Sequence, residues 1–162
     1  MRMDQFKMWS VPKASLLPAF LLGSLVLFTY ATLQNYGPES TLRKFHSAIR
    51  KINQGQQHTK GISKSDWADL QATLMEDIGT SLDTADPQAR QAIGQVASYL
   101  QAGYTYSLAK MDRSHVREVR IAVLYEKSNQ PTISMVWIVD KPIGGREWKI
   151  SARKTLSALT IP

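Results

Sequence analysis

Val116 to Lys127 reads VREVRIAVLYEK, and Thr132 to Lys141 reads TISMVWIVDK. In the first stretch Val119, Ile121, Val123 and Tyr125 fall on one side, and in the second Ile133, Met135, Trp137 and Val139 do the same. Apolar residues two apart share a face only in an extended chain, so both stretches predict strands. Ser128-Asn129-Gln130-Pro131 between them is a turn, and a connection this short makes the pair antiparallel. Tyr104 to Lys110 upstream predicts another strand, closed by the turn Asp112-Arg113-Ser114. Downstream, Pro142-Ile143-Gly144-Gly145 turns the chain again, and Glu147 to Lys154 alternates through Trp148, Ile150 and Ala152. Four consecutive strands with short turns predict an antiparallel meander.

Before Tyr104 the apolar period is 3.6 instead of 2. Glu39 to Ile52 puts Leu42, Phe45, Ile49 and Ile52 on one stripe, with Asn53 and Gly55 as stop signals. Ser65 caps a second helix carrying Trp67, Leu70, Leu74 and Ile78 on one face. Asp86-Pro87 opens a third, an N-cap followed by proline in the first helical position. Ala89, Ile93, Val96 and Leu100 form its apolar stripe, and Gly103 suits its C-terminal cap. Asn53 to Ser63 predicts a long loop. Helices grouped before strands predict an α+β domain, with three helices on one face of a four-stranded antiparallel sheet.

At the N-terminus, Ala14 to Leu33 reads ASLLPAFLLGSLVLFTYATL, twenty residues without a charge. At about 1.5 Å per residue these would cover roughly the 30 Å of a bilayer core, so one transmembrane helix is expected at 14–33. Trp9 lies before the stretch, Tyr30 and Tyr36 at its other end, matching interfacial aromatic belts. Arg2, Lys7 and Lys13 against Asp4 give residues 1–13 a positive, cytoplasmic character. The linker 34–37 and a domain over 38–162 would then sit outside a bacterial-type inner membrane. A cleaved signal peptide also starts with basic and apolar residues, but its apolar core is shorter and its cleavage site better than Thr29-Tyr30-Ala31.

The 162 residues carry a net charge of +7, and no cysteine is present, which excludes disulfides, thiolate metal sites and cysteine nucleophiles. No carboxylate pair, triad or metal-spaced cluster appears in the sequence. Gly144-Gly145 reads as a turn and not a phosphate loop, because no helix is expected after it. His58 lies in a glutamine-rich loop, Asp112 and His115 flank a turn, and Asp140 reads as a solvated strand end. His46 borders the first apolar stripe and reads as a packed or partly exposed residue. No catalysis, metal or cofactor is expected, and the dispersed positive charge gives no nucleic-acid signature.

The order of three helices and four meandering strands, with GPESTLRKFHSAIRKIN, SKSDWADL, ISMVWIVD and REWKISAR as its elements, resembles the NTF2-like or cystatin-like cone superfamily. The resemblance implies a cone-shaped sheet with Trp148 and Ile150 packed into it. Functions in that superfamily run from isomerases and dehydratases to noncatalytic scaffolds, so the fold assigns no chemistry. One-span chains of this layout also resemble the inner-membrane component of type IV secretion systems.

Two kinds of site follow. Tyr104, Tyr106, Trp137 and Trp148 are candidates for lining an interior pocket. Ala122, Leu124, Val136 and Ile138 alternate with the core residues and make an apolar patch on the outer sheet face, where a water-facing sheet would be polar. That patch is covered either by another protein or by Leu156 to Pro162 folding back. Arg43 and Lys44, with Arg50 and Lys51, form the polar side of the first helix, facing lipid headgroups, an acidic partner or water. The expected function is that of a noncatalytic scaffold or accessory subunit of a membrane complex. Its partners would be the lipid bilayer and either other subunits or a second copy of itself. A ligand-binding or isomerase-type cone is the alternative.

Overall fold

The computed structural model describes residues 20–27, 29, 37–57, 63–113 and 115–159, in two units, Met1–Asn35 and Tyr36–Pro162. In the first unit, residues 20–27 and 29 are helical and exposed, among them Phe20, Leu22, Leu25 and Leu27. Ser24 and Thr29 turn their hydroxyls back to the carbonyls of Leu21 and Leu25. The expected transmembrane helix is corrected here: among the described residues no helix is long and apolar enough to cross a membrane. The eight consecutive helical residues described, 20–27, rise about 12 Å, against roughly 30 Å for a bilayer core. The rest of 14–33, together with Trp9, Tyr30 and Tyr36, lies outside the described residues.

The second unit is an α+β domain. Its helices are α1 (Pro38–Gln57), α2 (Lys64–Thr73) and α3 (Pro87–Gln101), with a single 3₁₀ turn at Leu82–Thr84 between the last two. The strands β1 (Thr105–Asp112), β2 (Glu118–Glu126), β3 (Ile133–Asp140) and β4 (Lys149–Ile150) follow, and α4 (Ala152–Leu159) ends the described chain. The sheet order is β1-β2-β3-β4, every neighbouring pair antiparallel. One irregularity in the β1–β2 register, between Leu108 and Lys110, bulges the edge strand.

Leu42, Phe45 and Ile49 of α1, Leu70 of α2 and Val96 of α3 are buried with Val119, Ile121, Val123, Tyr125, Met135, Trp137 and Val139 of the sheet. The two expected periodicities therefore meet in one core. α3 keeps its local signals: Asp86 accepts the N–H groups of Gln88 and Ala89, and Pro87 stands at the first position. At its other end Gly103, at φ +85°, lets Tyr104 N–H reach Tyr99 O and Gly103 N–H reach Leu100 O, which terminates the helix.

Three expectations change. α1 runs past Asn53 because that side chain is buried and tied to α3, donating to Ala97 O and accepting from Gln101 Nε2. α2 begins after Ser63, whose hydroxyl accepts Ser65 N–H, and stops at Thr73. Leu74 leaves it to bridge Ile150 in parallel, with Met75 N–H donating to Ile150 O at 2.9 Å. The fourth strand is only two residues long, because Ser151 and Glu76 start a helix where alternation predicted more strand. Glu76 accepts the N–H groups of Ala152 and Arg153, both at 3.0 Å, and the Ser151 hydroxyl at 3.3 Å. A carboxylate at that position satisfies orphan N–H groups and the helix dipole together.

Candidate functional site

The inner face of the sheet meets α1 in a cluster of rings. Alternation along β2 and β3 aims Tyr125 and Trp137 inward, and the α1 stripe brings Phe45 and His46 against them. Phe45 and Trp137 have ring centroids 5.2 Å apart, and His46 stacks on Tyr106 at 4.1 Å. His46, Tyr125 and Trp137 are all fully buried. These spacings are those of rings in contact, so side chains occupy the interior at this level.

His46 has both ring nitrogens engaged. Nδ1 lies 2.8 Å from Leu42 O, and since a carbonyl only accepts, Nδ1 carries the proton. Nε2 then accepts the Tyr125 hydroxyl, also at 2.8 Å. Burial lowers the imidazole pKa to about 4, the Leu42 carbonyl opposes this, and Arg50 adds to it, so the ring is neutral near pH 7. Burial also raises the Tyr125 phenol, with Tyr99 and Tyr106 adding to the rise. The Trp137 N–H opposes it, yet that N–H is buried without a hydrogen bond of good geometry. It acts on Tyr125 as a nearby dipole, not as a bond. A histidine donating to backbone and accepting from a tyrosine has no nitrogen left to move a substrate proton.

Of the pocket candidates, Tyr106 and Trp137 join this cluster through His46, and Tyr104 reaches it through Tyr99, which packs on Tyr125 at 4.9 Å. Lys127 Nζ also stands 5.9 Å from the Tyr104 ring. Trp148 is half-buried and packs against the same core, its carbonyl accepting the Thr41 hydroxyl. Phe45, His46, Tyr125 and Tyr99 are the members that the pocket expectation lacked. Tyr125 was legible as an inward strand residue; its pairing with a helix residue 79 positions away was not.

On the outer face, Ala122 and Leu124 are half-buried, Val136 is 37% exposed and Ile138 only 6%. Ile138 thus drops out of the patch. The α4 segment covers that end: Thr155 Oγ1 accepts Ile138 N–H, and Ser151 N–H donates to Ile138 O. Ile138 is thus reached from Ser151 and Thr155, just ahead of the expected covering segment Leu156 to Pro162, while Leu124 stays half-buried and Val136 exposed. Asp140, expected to be solvated, is 8% exposed and binds Lys154 Nζ at 2.8 Å. Lys154 also binds Glu118 at 3.0 Å and holds the Glu118 carboxyl below its usual range; the Asp140 bond first, and the Glu118 bond second, raise the Lys154 ammonium.

Beside this ion cluster lies an open cleft of about 460 Å³, lined by Met75, Arg117, Lys141, Ile143 and others. Arg117 donates from Nε to the Lys141 carbonyl and from Nη2 to the Pro142 carbonyl, which ties its guanidinium to the loop. Arg43 and Lys44 are exposed on α1. Among the described residues no three His, Asp or Glu side chains converge as a metal site.

Comparison with protein-family models, curated proteins and solved structures returns no match.

Proposed function

We propose that the domain works by protein–protein contact, without catalysis, as a scaffold or accessory subunit of a larger assembly. The observation carrying this is the outer sheet face, where Leu124 and Val136 keep apolar surface open beside Ala122. A sheet face left to water alternates with polar residues; one that alternates apolar with apolar is suited to being covered. The locked His46–Tyr125 pair supports the noncatalytic part, since its hydrogen-bonding groups serve the fold. The order of three helices before a sequential four-stranded sheet is the support for an NTF2-like cone. Affinity purification of the full chain from its native source, beside a Leu124→Ser/Val136→Thr variant, tests the proposal. Loss of co-purifying protein in the variant is expected, and identical recovery with both chains would refute it.

One observation favours a second reading, a cone that holds a small ligand. The buried Trp137 N–H is a donor without a partner, next to the Tyr125 hydroxyl. A carbonyl oxygen placed there would satisfy it. A ligand-dependent shift of the Trp137 indole proton in an NMR titration with small carbonyl compounds would bring this reading forward.

A further inference from the structure

We infer that the outer sheet face pairs with a second copy of this chain, the two β2 strands crossing antiparallel about a two-fold axis at Val123. This rests on the protein-contact reading above and names its partner. Along β2 the outward residues are Glu118, Arg120, Ala122, Leu124 and Glu126. Glu118 is held by Lys154 at 3.0 Å, and Arg120 makes only long contacts, at 3.4 Å, to that same carboxylate from a half-exposed side chain, so a second carboxylate facing it would compete for the guanidinium.

A two-fold axis at Val123, lying between the faces and across the strands, sets position 120 against 126 and position 122 against 124. Arg120 then meets Glu126 of the second copy, twice by symmetry, and small Ala122 meets large Leu124. The neighbouring strand follows the same rule. Val136 pairs with Ala122 and Ser134 with Leu124, so Val136 of one copy lies over Ser134 of the other. With the axis along the strands instead, Arg120 would face Arg120 and Glu126 would face Glu126. Like charges so placed cost several kcal/mol, which selects the antiparallel crossing. The crossing also puts the α4 end of each copy beside the Ser134 end of its mate, so the two α4 helices do not collide.

Area sets the strength. Three strands at about 4.8 Å spacing and about 3.3 Å per residue present roughly 400 Å² of sheet per copy, about half of the ~800 Å² in a standard stable interface. The dimer is therefore weak, dependent on concentration, and weakened further by salt, because its two ion pairs lie at the rim.

Charge exchange in the full chain tests this by sedimentation over a range of concentrations. Arg120→Glu and Glu126→Arg are each expected to raise the dimer Kd about tenfold or more, by setting two pairs of like charges together. The double variant is expected to regain self-association, and an equimolar mixture of the two single variants to form mixed dimers. Both positions are solvent-facing, and circular dichroism checks that each variant is folded. A wild-type chain that stays monomeric, single variants that associate like wild type, or a double variant as weak as the singles would each overturn the inference. If the chain is monomeric but Leu124→Ser/Val136→Thr still releases a different co-purifying protein, only the second copy is wrong. If that change releases nothing either, the protein-contact reading fails with it.

Discussion

The Tyr125 hydroxyl donates to His46 Nε2 at 2.8 Å, joining the end of the central strand β2 to the middle of α1 in a fully buried hydrogen bond. Around it, Tyr106 stacks on the imidazole and Leu42 O fixes the tautomer. These polar groups of the core thus hold helix and sheet in one register.

Removing one partner of this bond leaves the other buried and unsatisfied. Tyr125→Phe is expected to lower stability by about 1–3 kcal/mol in urea unfolding. His46→Leu combined with Tyr125→Phe should cost less than the sum of the single changes, the sign of a real coupling. Strict additivity would show that the two residues contribute independently.

The depressed His46 pKa fixes a pH dependence. Below about pH 6.5 the unfolded histidine takes up a proton, whereas the folded one resists until about pH 4. Stability from this group is therefore complete above pH 6.5, falls as the pH drops, and is lost by about pH 4. The full loss is about 3 kcal/mol. Wild type should lose more stability than His46→Gln between pH 7 and 4.5, and parallel losses in the two chains would contradict the burial argument.

At the other end of the domain, Glu76 caps α4 from outside the helix. Glu76→Ala is expected to cost about 1–2 kcal/mol, by stranding the Ala152 and Arg153 N–H groups. Hydrogen exchange should then speed up at residues 152–155 while α3 amides keep their protection. Uniform acceleration across the domain would mean that α4 opens only with the whole fold.

What the sequence disclosed follows the range of each interaction. α3 was legible to its boundaries because Asp86, Pro87 and Gly103 act within a few residues. The inward faces of β2 and β3 were legible because alternation is local too. The end of α2 was not, because Leu74 is drawn off by Ile150, 76 positions along the chain. The short β4 had the same cause: Trp148, Ile150 and Ala152 alternate like a strand, while the cap that converts the segment to helix comes from Glu76. At the candidate sites, the outward placing of Leu124 and Val136 was readable. The covering of Ile138 by α4 was hidden, since it required knowing that a helix begins at Ala152. The uncharged run at 14–33 suggested a span by composition alone, and the described helix within it is too short for one.

The most direct measurement of the account is the assembly state of the full chain with and without Leu124→Ser/Val136→Thr, read by sedimentation alongside thermal unfolding. Weakened association with a melting temperature close to wild type is the predicted result, because both side chains face outward from the core. Association unchanged by the double substitution would contradict a functional outer sheet face.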